Sequence, residues 1–315
     1  MKGLTDIPGI RVGHVSDFQA ITGCTAILCT QGAVGGVDIR GSASGTEETP
    51  LLDPGHLTQE IHGILLSGGS AFGLEAASGV RRYLARQGVG FETGAGKVPL
   101  VPAAIIFDLP IIRNEVRPTV AMGEAAAAAA TDEPVKEGSV GAGTGATVGK
   151  IMGLKHAMKS GVGSFTVTLP GGVLVSTLAV VNAFGDVRDP ATGKIVAGAR
   201  TAQDGADFVD TQEQMKRGAG GGFAVHNTTL VVVATNARLT KVQAKKLAEQ
   251  GSLGMARTIF PVNTMFDGDL VFALSLGDRK ADINVLGVAA AEAVAQSIVR
   301  AVKFAKTLGG VPGLG

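Results

Sequence analysis

The chain has 315 residues, 47 of them Gly, with no Trp, one Tyr and 12 Phe, so glycine stands at about twice its usual share of roughly 7%. There is no strict Gly every third residue, which excludes collagen, and a 45% hydrophobic content at net charge +1 excludes intrinsic disorder. Lys and Arg (28) balance Asp and Glu (27), and no basic stripe is interleaved with aromatics, so nucleic acid is not an expected partner. Scarce aromatics require a core of small aliphatic side chains with closely packed backbones. The opening stretch MKGLTDIPGI has no apolar run of signal-peptide length, and runs such as Leu230–Ala234 fall far short of the ~20 residues of a membrane span. A cytoplasmic protein without a membrane partner is expected. Cys24 and Cys29 form a lone C-x4-C pair, poor spacing for zinc, and read as two buried thiols.

In chain order, residues 1–50 read as short strands joined by glycine turns, with Thr25–Cys29 one of them. Residues 61–67 form an apolar strand ending at Gly68-Gly69. Residues 71–86 read as a helix, with Phe72, Ala76, Val80 and Leu84 at helical spacing. A strand is predicted over 100–107, and an alanine-rich helix over 119–130. After a break at 132–138 comes a glycine-rich loop, 138–149. Strands follow at 164–169 and 173–182, split by the turn Pro170-Gly171-Gly172. Residues 186–222 show no period and read as a long exposed connection. The last third alternates: strand 228–235, helix 240–249 with Thr240 as cap, strand 269–276, and a helix over 284–308 with Val288, Ala291, Ala295, Ile298 and Val302 on one face. Strands alternating with helices point to layered α/β or α+β architecture.

Two glycine-rich tracts bear on chemistry. Gly141-x-Gly143-x-x-Ala146 fits a dinucleotide loop, but the strand that should precede it is missing. Lys150 follows Gly149 at the wrong spacing for a phosphate-binding P-loop and is followed by Ile151 rather than Ser or Thr. The alternatives are a non-phosphate pocket lined by backbone N–H groups and Lys150, or a solvated lysine. His14, His56, His62, His156 and His226 are scattered, with no H-E-x-x-H, and no Ser lies in G-x-S-x-G, so neither a zinc hydrolase nor a serine triad is supported.

The second tract, Gly220 to His226, runs into Asn227-Thr228 at the start of a strand. Chemically this suits self-cleavage. The Thr228 hydroxyl attacks the Asn227 carbonyl in an N-to-O acyl shift, and water hydrolyses the ester. The freed α-amine, with an unperturbed pKa of about 7.7–8.0, can then serve the hydroxyl as base. Asn-Thr is a common dipeptide, and taken alone it favours an ordinary loop-to-strand junction. Asp267-Gly268-Asp269 reads as a turn or, if near Thr228, as a pair of carboxylates that orient it.

Together, residues 6–16 (DIPGIRVGHVS), 33–41 (AVGGVDIRG), 67–75 (SGGSAFGLE), 141–150 (GAGTGATVGK), 227–236 (NTTLVVVATN) and 267–274 (DGDLVFAL) resemble the DmpA-type peptidases. These are L-aminopeptidase/D-esterases and β-aminopeptidases, and the nylon-oligomer (6-aminohexanoate oligomer) hydrolases belong with them. The Asn-Thr and Asp-Gly-Asp motifs are those of the nylon-hydrolase branch; the aminopeptidase branch has Gly-Ser and Ser-Gly-Glu. The resemblance implies an α+β layered, αββα-type N-terminal-nucleophile hydrolase fold of the DmpA/ornithine acetyltransferase kind. It implies one self-processing domain over 1–315, cut into a large chain, 1–227, and a small chain, 228–315, that stay associated, commonly in a homotetramer. It further implies Thr228 as nucleophile, oriented by Asp267 and Asp269, with Lys150 as the catalytic lysine and Asn182 donating to the oxyanion. The nylon hydrolases carry a Tyr where this chain has Phe107, so Phe107 marks a substrate-pocket position that lacks the hydroxyl. The expected substrate is a small peptide or amide, with no metal or other cofactor. The alternatives are an acyltransferase of the ornithine acetyltransferase type and a nucleotide-binding protein using the 141–150 loop.

Overall fold

The computed structural model describes residues 2–111, 115–219 and 227–315. Its main sheet has nine strands: β1 (Arg11–Asp17), β2 (Thr22–Ile39), β3 (Thr46–Glu47), β4 (Glu60–Ser67), β5 (Ala103–Ile105), β6 (Val162–Leu169), β7 (Val173–Asn182), β8 (Thr228–Ala237) and β9 (Leu270–Arg279). They run in the order β6-β7-β8-β9-β2-β4-β5-β3, with β1 beside β2. The helices are α1 (Ala76–Arg86), α2 (Val120–Ala128), α3 (Thr211–Lys216), α4 (Lys241–Ala256) and α5 (Ile283–Lys303).

Period-two alternation sorts the strand side chains into layers. Along β8, Val231 and Val233 pack with α4 and α5, against Leu247, Val294 and Ile298. Their neighbours Leu230, Val232 and Ala234 point the other way, into a core shared with Ile27, Ile64, Leu66 and Ile106 from β2, β4 and the β5 segment. The outer face of that second half, with Ala26 and Leu65, meets Val80, Leu84, Ala126 and Ala127 of α1 and α2. The result is helix, sheet, sheet, helix. The 18-residue β2 joins the two sheet halves, pairing with β1 and β4 through Thr22–Leu28 and with β9 through Val34–Ile39.

Several sequence expectations hold closely. Strands β4, β6, β7, β8 and β9 lie where hydrophobic patterning places them, and Thr240 caps α4 with a full capping box to Gln243. Others change. Residues 70–75 form a 3-10 turn ahead of α1, leaving Phe72 54% exposed while Ala76, Val80 and Leu84 are buried. The strand expected over 100–107 is only Ala103–Ile105, preceded by Pro102, which has no N–H to give a ladder. Val288 is 69% exposed although Ala291, Ala295, Ile298 and Val302 are buried, because it lies on the outward side of α5 with exposed Val285 and Glu292, while Leu286, Ala289 and Ala290 of the same turns are in the core. By length and mean hydropathy (1.5) α5 would pass for a membrane span, unlike any run picked out from the sequence, yet 72% of its most apolar window is buried inside the protein.

The supposed loop 186–222 is a correction. Asp186–Arg188 and Ile195–Ala197 join Ile259–Phe260 in a three-stranded sheet, and α3 follows; residues 220–222 lie outside the described residues. The buried Asp186 carboxylate organises this region by accepting the Ala199 N–H (2.9 Å), the Thr211 N–H (2.6 Å) and the Thr211 hydroxyl (2.8 Å). Three-residue strands carry no readable period, and a single carboxylate supplies the order that patterning cannot show.

Helices α1 and α2 cross through glycine. A Cβ on Gly123 would overlap the carbonyl of Ala76, and one on Gly79 would overlap the carbonyl of Val120. Gly123→Ala is therefore expected to lower stability by about 1–3 kcal/mol through overpacking, measured as a reduced urea midpoint; an unchanged midpoint would show that the crossing can relax.

Candidate active site

Thr228 is the first residue of β8, and Asn182, the last of β7, lies directly opposite it in the antiparallel ladder. On the other side β9 runs parallel to β8, and just before both strands Asn227 and Asp267 form an isolated bridge. The Asn227 N–H donates to the Phe266 carbonyl at 2.9 Å, and the Gly268 N–H donates to the Asn227 carbonyl at 2.6 Å. That same carbonyl accepts the Thr228 hydroxyl at 2.5 Å. Backbone pairing with β9 and the Thr228 hydroxyl together hold the Asn227–Thr228 peptide with its carbonyl oxygen between two donors. Gly268 has no room for a side chain: a Cβ would stand 2.7 Å from Thr228 Oγ1 and 2.7 Å from the Ala43 carbonyl.

Lys150, 1% exposed, is buried rather than solvated. Its Nζ donates to the Asn182 carbonyl (2.9 Å), to Asn182 Oδ1 (2.8 Å) and to Asn227 Oδ1 (2.9 Å). Three acceptors around one amine match the three donors of an ammonium. Burial, with the like charge of Lys159, lowers its pKa to about 7 against the opposing pull of Asp267, Asp269 and Asp108. Asn182 Oδ1 also accepts the Thr147 N–H at 3.1 Å, while Asn182 Nδ2 donates to the Phe107 carbonyl at 3.0 Å. One amide side chain therefore ties together the glycine loop, the lysine and the Phe107 segment.

The two aspartates are buried behind Thr228. Asp269 accepts the Thr229 N–H at 2.6 Å and the Asn263 N–H at 3.0 Å. Burial and then the neighbouring Asp267 push its carboxyl up to about 7. Asp267 accepts the Thr264 N–H (2.9 Å) and hydroxyl (2.6 Å), and burial raises its pKa also. Six of the seven residues singled out from the sequence (Asn182, Asn227, Thr228, Lys150, Asp267 and Asp269) thus meet around one peptide bond. Phe107 joins them through its backbone carbonyl and through a cleft that it lines together with Thr228.

The glycine loop reads differently in three dimensions. Its N–H groups do not line a pocket. Gly141 donates to Ser16 Oγ, Ala142 to Thr25 Oγ1, Gly149 to the Gly185 carbonyl and Lys150 to the Phe184 carbonyl. A phosphate cradle needs these groups free, and here the loop is packed structure that delivers only the Lys150 side chain. The histidines hold local bonds: His14 to Thr25, His56 to Thr58, His62 to the Leu100 N–H and His156 to the Arg200 carbonyl. The tract before Asn227, including His226, lies outside the described residues. Both cysteines are buried free thiols, and burial pushes the Cys24 thiol up to about 12.

Two further buried ionisable residues, Lys159 and Asp108, escaped the sequence reading. Lys159 Nζ donates to the carbonyls of Thr144 (2.8 Å) and Ala146 (2.7 Å), pinning the loop that carries Thr147 and Lys150. Asp108 accepts the Gly69 N–H (2.7 Å) and the Thr22 hydroxyl (2.8 Å), immediately after Phe107. Burial raises Asp108 to about 6 and lowers Lys159 to about 7, and each opposes the shift of the other. Nothing in the local pattern around Lys159 marks it; only tertiary burial does.

With the geometry in place, the comparisons with known proteins are decisive. The model of peptidase family S58 matches residues 2–314. The chain belongs to this family, the DmpA family. It is 38% identical, over 99% of its length and 96% of the relative's, to an uncharacterised aminopeptidase of Mycobacterium tuberculosis. It is 32% identical, over 95% of its length and 85% of the relative's, to a 6-aminohexanoate-oligomer endohydrolase of Kocuria. Among solved structures it resembles the L-aminopeptidase D-Ala-esterase/amidase of Ochrobactrum anthropi, described as a variant of the Ntn hydrolase fold, with TM-score 0.73, 20% identity and coverage of 99% of this chain and 88% of that one. It likewise resembles a Burkholderia β-aminopeptidase, with TM-score 0.70, 23% identity and coverage of 100% and 91%. The S58 chain has the Ntn hydrolase fold and is an amidohydrolase/aminopeptidase that acts on amide bonds.

Lys159→Met leaves the buried Thr144 and Ala146 carbonyls without their donor. A stability loss of about 1–3 kcal/mol is expected, measured as a reduced urea midpoint; an unchanged midpoint would show that the loop finds another donor.

Proposed function

We propose that this peptidase cuts itself between Asn227 and Thr228 and that the exposed Thr228 then hydrolyses small amides through an acyl-enzyme. The observation that carries the reading is the pair of donors on the Asn227 carbonyl: the nucleophile hydroxyl itself and the Gly268 N–H. Oγ1 attacks the carbonyl carbon, and the charge that develops on oxygen faces the Gly268 N–H. A preorganised donor of this kind is worth about 2.7–4 kcal/mol. The C–N bond breaks, the Thr228 nitrogen takes the hydroxyl proton, and water hydrolyses the ester to an Asn227 carboxylate and a free Thr228 amine.

In turnover the Thr228 α-amine accepts the hydroxyl proton as Oγ1 attacks the substrate carbonyl and returns it to the departing amine. Asn182 Nδ2 has a second N–H beyond the one bound to Phe107, and that N–H serves the substrate oxyanion. Lys150 supports the same negative charge as an ammonium. Asp269 fixes the β8 backbone at Thr229, one residue past the nucleophile, and Asp267 fixes the turn that carries Gly268. Water then releases the acid. The fragments 1–227 and 228–315 remain one domain after cleavage because β8 and β9 of the small fragment are hydrogen-bonded between β7 and β2 of the large one.

The purified protein is expected to run as two fragments, with the smaller one sequencing from its N-terminus as Thr-Thr-Leu-Val-Val-Val. Thr228→Ala is expected to stay whole and inactive, and Gly268→Ala to break at least tenfold more slowly. An intact wild-type chain after long incubation would falsify the reading, and transfer of the acyl group to an added amino acid would assign an acyltransferase instead.

The charge on Lys150 sets a pH dependence. The ammonium is present below its pKa of about 7 and is lost above it. The rate constant of chain break in freshly synthesised precursor, followed on gels from pH 5.5 to 9, should therefore fall as pH rises through about 7. Lys150→Met should be at least tenfold slower and lack that inflection; a rate that climbs through the same window would make Lys150 a base instead.

A further inference from the structure

Asn182 can serve a substrate oxyanion only if its carboxamide stands one way round. With Nδ2 toward the reacting centre it donates; turned over, it would set the acceptor Oδ1 against a forming negative charge. Both ends of the amide are gripped. Oδ1 accepts the Lys150 amine at 2.8 Å and the Thr147 N–H at 3.1 Å, with the Thr147 hydroxyl at 3.4 Å. Nδ2 donates to the Phe107 carbonyl at 3.0 Å. The Thr147 N–H is the backbone part of this grip, so whatever orients that peptide orients Asn182.

The Ala146–Thr147 peptide is held from behind. In a trans peptide the C=O and N–H point in opposite directions, so the Thr147 N–H faces Asn182 only while the Ala146 carbonyl faces away from it. That carbonyl accepts the Lys159 amine at 2.7 Å and the Ser160 N–H at 3.0 Å. The same amine holds the Thr144 carbonyl at 2.8 Å. Two donors on one carbonyl also polarise the peptide and strengthen the N–H at its other end. Pairing of Thr147–Val148 with Met158–Lys159 sets Lys159 directly opposite Thr147. The loop is hemmed in on its other side: a Cβ on Gly145 would stand 2.4 Å from Asp108 Oδ2 and 2.6 Å from the Ile21 carbonyl.

Lys150 is anchored separately. Its N–H donates to the Phe184 carbonyl and the Gly149 N–H to the Gly185 carbonyl, both at 3.0 Å, and its side chain also reaches the Asn182 carbonyl and Asn227 Oδ1. Among the described residues, the buried Lys159 amine bonds Thr144 and Ala146 and none of these groups.

We propose that Lys159 is a positioning residue for turnover, holding the Ala146–Thr147 peptide so that Thr147 keeps the Asn182 carboxamide turned with Nδ2 toward the substrate oxyanion. This rests on the proposed role of Asn182 in turnover and extends it to a residue that never touches substrate. Chain break depends on Lys159 less, because the oxyanion of that step faces the Gly268 N–H.

The test compares two rate constants in Lys159→Met and Lys159→Gln. One is chain break in freshly synthesised precursor; the other is turnover of L-alanyl, β-alanyl and 6-aminohexanoyl p-nitroanilides by the fully cut protein. For the best of the three substrates, Lys159→Met should lower kcat at least tenfold, keep KM within threefold, and lower kcat at least fivefold more than it lowers the rate constant of chain break. Lys159→Gln keeps a neutral donor for one carbonyl and should recover at least threefold of the lost kcat; it carries the comparison if Lys159→Met does not fold. Equal losses in kcat and in chain break would mean a loosened loop that displaces Lys150 as well, and would overturn the proposal. An unchanged kcat, or a loss confined to KM, would overturn it too, with the hydrolase reading left intact. A wild-type chain that breaks yet hydrolyses none of the three would overturn the hydrolase reading and this assignment with it.

Discussion

The structure around the candidate site depends on one buried ammonium. Lys150 lies in the interior, where an isolated charge costs several kcal/mol after relaxation, and it is tolerable only because three oxygens converge on its amine. Those oxygens come from the end of β7 and from the residue before β8, while the lysine comes from the glycine loop. Satisfying one charge therefore fixes three chain segments relative to each other. The Asp267 and Asp269 carboxylates oppose the desolvation and complete a compact set of charges around one peptide bond.

Backbone ladders supply the precision that side chains alone would lack. Thr228 is placed by pairing with Asn182 on one side and by the Asn227–Asp267 bridge on the other. A one-residue slip would turn Thr228 to the opposite face of the sheet, and the alternate burial of Leu230 to Ala234 between two cores makes such a slip costly. Chemistry at the head of β8 is in this way secured by hydrophobic patterning along its length. Lys159 and Asp108 extend the same arrangement outward, holding the loop and the Phe107 segment that frame Asn182.

Much of this was legible in the sequence where the pattern is long. Strands of eight to ten residues such as β4, β6, β7, β8 and β9 announce themselves by alternation or apolar runs. The site residues were legible for a different reason: Asn227-Thr228, Asp267-Gly268-Asp269 and the lysine after Gly149 are short motifs shared by a family, and each stands at the end of a strong element. What misled was local. The glycine loop shares residue types with a phosphate binder but not its spacing or preceding strand, and its N–H groups are bonded to Ser16, Thr25 and neighbouring carbonyls instead of lining the pocket that was the other reading. Residues 186–219 looked structureless because their order comes from the buried Asp186 carboxylate rather than from any period. Val288 looked like part of the buried face but falls on the outward side of α5, whose core side in those turns is Leu286, Ala289 and Ala290.

By itself, the sequence determined the layered α+β architecture, the strong strands and helices, the family, and the residues around which chemistry is proposed, because these depend on periodicity and on motif identity along the chain. Only the tertiary structure decided the rest: that Lys150 is buried with three acceptors, that Gly268 polarises the Asn227 carbonyl, that Lys159 and Asp108 are buried and hydrogen-bonded to the segments around the site, and that the cleft at Thr228 has a neutral lining. These are facts of burial and of contact between residues far apart in the chain. A lysine or a serine has the same letter in water and in the interior, and its charge state, its partners and its chemistry follow from which of the two the fold assigns it.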